Sequence, residues 1–114
     1  MRRPTTLEAA RALHRAGIDI LMGAPNVVRG GSHSGNIAAI DLAQEGLLDI
    51  LSSDYVPSSL LLGAMMLPDR VPGIDLAAAI RTVTKTPAES VGLCDRGEIA
   101  VGRRADLIRV QVAR

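Results

Sequence analysis

The sequence predicts an α/β fold in which short parallel strands are joined by helical crossovers. Three observations carry the prediction. Two short aliphatic runs, at residues 18–22 and 47–51, are bounded by glycine and polar residues as buried strands are. Residues 37–45, between them, have helical composition, and strand, helix, strand in that order pairs its strands in parallel by a right-handed crossover. Polar residues Ser52, Ser53 and Asp54 gather directly after the second run, at the carboxyl end of the expected strand.

Taken in order, Thr5-Thr6-Leu7-Glu8 reads as a capping box. Leu7, Ala10, Arg11 and His14 then keep helical spacing until Gly17 supplies a stop. After the first strand, residues 23–36 are rich in glycine and include Pro25, which predicts one long loop. Ser34 or Asn36 would cap the following helix, and Gly46 would end it. Residues 58–66 predict a helix that stops ahead of Pro68, 74–84 another, and 87–91 a short one. The remainder, 95–114, reads as turn and β-structure. Two parallel strands cannot make a sheet covered on both faces, so surfaces meant for neighbours should be left exposed.

Composition narrows the function. A chain of 114 residues with 47% apolar content suits one globular domain. The core must be aliphatic, because Tyr55 is the only aromatic residue, and aromatic stacking on nucleic-acid bases is not expected. No nucleic-acid partner is expected. Lys85 is the only lysine, and the other basic residues are arginines scattered as on solvated faces. Cys94 is alone, so no intrachain disulfide forms, and a cytoplasmic location is expected. No apolar run approaches about 20 residues, so no membrane span is expected.

Three constellations could carry chemistry. Arg29-Gly30-Gly31-Ser32-His33-Ser34-Gly35-Asn36 could close backbone N–H groups on a phosphate, with Arg29 and the hydroxyls of Ser32 and Ser34 as further donors. It fits neither the Walker nor the dinucleotide fingerprint, and an ordinary loop whose glycines serve turns is an equal reading. His33 could act on a phosphate or a metal, though a lone loop histidine usually does neither, and His14 reads as structural. Asp54 stands where α/β barrels place catalytic carboxylates, but a turn aspartate ahead of Pro57 is the commoner reading. The stretch Asp95-Arg96-Gly97-Glu98-Ile99-Ala100-Val101-Gly102-Arg103-Arg104-Ala105-Asp106-Leu107-Ile108 by itself says turn, strand and solvated charges.

Within that last stretch, Gly-x-Ile-x-x-Gly-x-x-Ala-Asp-Leu resembles the small β-domain signature that follows the barrel in amidohydrolase-superfamily enzymes. Thr86-Pro87-Ala88 ahead of Gly92-Leu93 resembles the same superfamily's final helix. Met22-Gly23-Ala24-Pro25-Asn26 with the glycine-rich loop, and Leu51-Ser52-Ser53-Asp54-Tyr55, are similar to its phosphonate-metabolism members in the carbon-phosphorus lyase pathway. The resemblance implies the last two βα units of a TIM-type (β/α)8 metal-dependent hydrolase barrel in residues 1–94, and part of a small β-domain in 95–114. It implies a reaction in which water, activated by a divalent metal such as zinc, cleaves diphosphate from a phosphorylated ribose. Asp54 would be the last-strand metal ligand and proton acceptor, and Arg29, Gly30, Gly31, Ser32, His33 and Ser34 the phosphate-binding loop. The superfamily's His-x-His is nowhere in the sequence. The resemblance therefore implies a carboxyl-terminal piece, inactive alone, that binds no metal by itself and self-associates through exposed strand edges. A non-enzymatic, phosphate-binding module that assembles with itself or a partner is the alternative. A site completed across an interface by His33 and Asp54 of different copies is a third reading.

Overall fold

A computed structural model describes residues 1–30 and 35–113, so Gly31, Ser32, His33 and Ser34 lie outside the described residues. The expected α/β content is present. Helix α1 (Leu7–Arg15) leads to strand β1 (Leu21–Gly23), then helices α2 (Ala24–Arg29) and α3 (Ala39–Gln44), and strand β2 (Ile50–Ser52). Helices α4 (Ser59–Arg70), α5 (Leu76–Arg81) and α6 (Lys85–Ser90) follow.

The two strands pair in parallel, with Leu21 opposite Ile50, Met22 opposite Leu51 and Gly23 opposite Ser52. The parallel arrangement extends one step further. Arg2 bridges to Ile20, its N–H donating to the Asp19 carbonyl and its carbonyl accepting from Leu21 N–H, each at 2.9 Å. On the far side of β2, Leu51 N–H donates to the Thr82 carbonyl at 3.1 Å. The two-stranded sheet is thus flanked by the Arg2 bridge beside β1 and the Thr82 carbonyl beside β2. Met22, Ile50 and Leu51 are all buried without alternation, as in parallel strands covered on both faces.

Around this ribbon Ile20, Leu42, Ile50, Leu67, Val27 and Val71 are fully buried. Helices α2 and α4 pack closely because Gly63 offers no side chain. A Cβ there would lie 3.1 Å from the Ala24 Cβ and 3.3 Å from its carbonyl oxygen.

Several sequence expectations are corrected. Residues 24–29 are helix α2, not loop, because Pro25 falls in the first turn, where its missing N–H would have no intrahelical acceptor. Gly30 then ends α2 at φ 84°, a left-handed conformation suited to glycine. Helix α3 begins at Ala39, and Asn26 supplies the cap expected of Ser34 or Asn36, its Oδ1 accepting from Ala39 N–H at 2.9 Å. Thr6, not Thr5, caps α1 by accepting from Ala9 N–H at 3.0 Å, which leaves the Thr5 carbonyl to accept from Ile37 N–H. Helix α4 runs through Pro68 to Arg70, where a proline costs about 3 kcal/mol. Burial of Leu67 and Val71, at about 1.5–3 kcal/mol each, offsets that loss.

The expected β-structure of the tail is absent among the described residues, since no ladder pairs residues 95–113. A strand exists only with a hydrogen-bonding partner. Ile99, Val101, Leu107 and Ile108 are accordingly exposed. The tail is instead held at its start. Gly97 has φ 95°, and a Cβ on it would lie 2.8 Å from the Lys85 Cα, so only glycine lets this turn close on α6. Next to it, Lys85 Nζ lies 3.0 Å from Glu98 Oε2, and Arg103 lies 3.3 Å from Glu98 Oε1.

The Lys85 ammonium, more than Arg103, holds the Glu98 carboxyl below its ordinary value of 4.5. A carboxyl depressed in the folded state stabilises the contact fully above its unfolded pKa and loses it as pH falls through the folded value. In an NMR titration, the Gly97 and Glu98 amide shifts should titrate with a midpoint below 4.5. A midpoint at or above 4.5 would contradict the contact. Among the described residues, no helix is long and apolar enough to cross a membrane.

Candidate functional site

Three segments place their carboxyl ends side by side: Arg2 with Arg3 after it, β1 ending at Gly23, and β2 ending at Ser52. Arg3 is set by the bridge at Arg2, by the buried Pro4 and by the Thr5 carbonyl on Ile37. Asp54 stands two residues past β2 with φ 50°, and its N–H donates to Ser52 Oγ at 3.2 Å. Such a left-handed position is tolerated by aspartate better than by bulkier residues.

The carboxylate leans across the end of β1. A Cβ at Gly23 would collide with Asp54 Oδ2, so the missing side chain is what makes room for it. Beyond β1, Arg3 donates to Asp54 Oδ1 at 2.5 Å. The Asp54 side chain is 23% exposed and that of Arg3 49%, so the pair sits at the mouth of a cavity rather than in the core.

That cavity, about 270 Å³, is lined by Arg3, Asp54 and Arg29 as its charged groups, with Asn26, Asn36 and Tyr55 among the others. The structure thus brings together two of the expected site residues, Asp54 and Arg29. Gly30 caps α2 and does not line the cavity. The expected contacts of Gly31, Ser32, His33 and Ser34 lie outside the described residues. His14 is exposed in the last turn of α1, a structural position.

Arg3 and Asn26 were not legible as site residues. Nothing local marks Arg3, which matters through a contact 51 positions away. Asn26 lies in a segment that reads as loop, yet it lines the cavity and caps α3 with one side chain.

Residues 2–111 match the amidohydrolase family. The chain belongs to the amidohydrolase family. It is 58% identical over 106 residues, 92% of its length, to α-D-ribose 1-methylphosphonate 5-triphosphate diphosphatase of Escherichia coli (strain K12). It is 31% identical over 101 residues, 75% of its length, to dihydroorotase of Methanopyrus kandleri. The chain spans 28% of the first relative and 23% of the second, so it corresponds to less than a third of either. No solved structure matches it.

The amidohydrolase resemblance implies a divalent metal, and the described residues do not fit one. They hold no group of three or more His, Cys, Asp or Glu side chains that could share an ion. The Asp54 carboxylate is paired with the Arg3 guanidinium.

Proposed function

We propose that the chain is the carboxyl-terminal part of a cytoplasmic hydrolase of phosphonate catabolism that releases diphosphate from α-D-ribose 1-methylphosphonate 5-triphosphate. The single observation that carries this reading is the 58% identity over 92% of the chain to a diphosphatase of that name. The carboxyl-edge cavity supports it, with Asp54 and Arg29 on one wall system. In this reading residues 1–94 are the last two βα units of a TIM-type barrel and 95–114 begin its small β-domain.

Hydrolysis of a phosphoric anhydride needs a nucleophilic water, a proton acceptor and cations around the phosphates. This chain supplies Asp54 as acceptor and Arg29, with residues 31–34, as phosphate donors. The other groups, including those that would hold metal, come from outside it, so the chain by itself is inactive.

The test is a comparison of two products. The chain alone should release no diphosphate from the triphosphate. A product extended upstream through an in-frame His-x-His segment should release it, and Asp54→Asn in that product should slow it by about 100-fold or more. Hydrolysis by the chain alone, or an extended Asp54→Asn protein with an undiminished rate, would sink the proposal.

A second reading, a self-associating module that binds phosphate without hydrolysis, is favoured by the exposed, unpaired apolar tail. Concentration-dependent light scattering together with diphosphate binding, and no turnover even in the extended product, would favour it.

A further inference from the structure

We infer that Arg3 is the resident counter-cation of Asp54, and that the cavity they close takes an oligophosphate directly on Arg3 and Arg29, with no divalent ion. The inference rests on the phosphate reading proposed above and gives it a mode of binding.

The argument begins with charge. Among the described residues lining the cavity, the charged groups are two arginines, Arg3 and Arg29, and one aspartate, Asp54. The Arg3–Asp54 contact neutralises the carboxylate, which leaves the described lining one positive charge in excess. A carboxylate whose exposed edge faced the cavity would repel phosphate, so an oligophosphate needs this neutralisation from some cation. In a metal enzyme the ion provides it. Here a guanidinium does, because Gly23 lets the carboxylate lean across β1 far enough to reach it.

Geometry then gives the donors. A guanidinium carries five N–H groups, and the contact with Asp54 Oδ1 engages Nη2, leaving others to face an anion. Asn26, whose Oδ1 accepts from Ala39 N–H, holds its amide beside the cavity. The described lining thus combines planar cationic forks and a side-chain amide around a space of about 270 Å³.

Calorimetric titration of the 114-residue chain with inorganic diphosphate, in EDTA and again with magnesium, tests this. Saturable binding in EDTA is expected, weakened on the order of tenfold in Arg3→Gln because hydrogen bonds to charged groups are lost. Asp54→Asn should keep or tighten the binding, since it releases Arg3. A metal-mediated site behaves oppositely: Asp54→Asn abolishes binding and magnesium is required, and either result overturns the inference while leaving the proposed hydrolase standing. No diphosphate binding under either condition overturns the inference, and the hydrolase reading then stands or falls on the extended product. If circular dichroism shows Arg3→Gln to be unfolded, Arg3→Lys and the Asp54→Asn arm decide.

Discussion

Gly23→Ala is expected to inactivate the extended enzyme while leaving its fold intact. The Gly23 backbone, at φ −75° and ψ 131°, suits any residue. By backbone alone an alanine there would stabilise by about 0.4–1 kcal/mol through the unfolded state. The new Cβ, however, would occupy the place of Asp54 Oδ2. A carboxylate at the end of a short side chain can swing away at little cost in stability, but it then leaves both Arg3 and its position over β1. Misplacement of a catalytic group by about 1 Å costs on the order of 100-fold in rate. Diphosphate release should therefore fall by about that factor with a melting temperature unchanged or raised. The double variant Gly23→Ala/Asp54→Gly separates the causes, because without the carboxylate the alanine should be neutral or stabilising. A Gly23→Ala protein of undiminished activity would show that Asp54 does not work from this position.

Leu67→Ala should produce the largest loss of stability. Leu67 is fully buried on α4, in the core shared with Ile20, Leu42 and Val71. Truncating a buried leucine removes its transfer free energy and leaves a cavity, together about 2–5 kcal/mol. The denaturant midpoint should fall accordingly with little change in slope. A small domain with few kcal/mol in hand would be largely unfolded near 37 °C. By contrast Leu62, about half exposed on the same helix, should tolerate alanine within about 0.5 kcal/mol. Equal effects at the two positions would contradict the packing described for α4.

The parallel pairing of β1 and β2 was legible because short aliphatic runs flanked by glycine carry their signal locally, and so was Asp54, which simply follows the second run. Strand ends were less so. The runs at 18–22 and 47–51 are paired only over Leu21–Gly23 and Ile50–Ser52, because strand bounds are set by ladder pairing and not by hydrophobicity alone. Helix α2 was hidden because glycine and proline content masks six residues that are helical once Pro25 is placed in the first turn. The tail failed for the opposite reason: it reads as turn and β-structure, but a strand's hydrogen bonds belong to its partner.

By itself, then, the sequence determined the α/β character, the aliphatic core, the position of Asp54 after a strand and the amidohydrolase signature in residues 97–107. Only the tertiary structure decided that Arg3 meets Asp54 across Gly23, that Asn26 caps α3, and that Arg29 and Asp54 share one cavity. The physical reason is range. Periodicity, caps and turn residues act within a few positions, whereas a charge pair spanning 51 positions forms only when three chain segments align their carboxyl ends. A small residue must also leave the space between them, as Gly23 does.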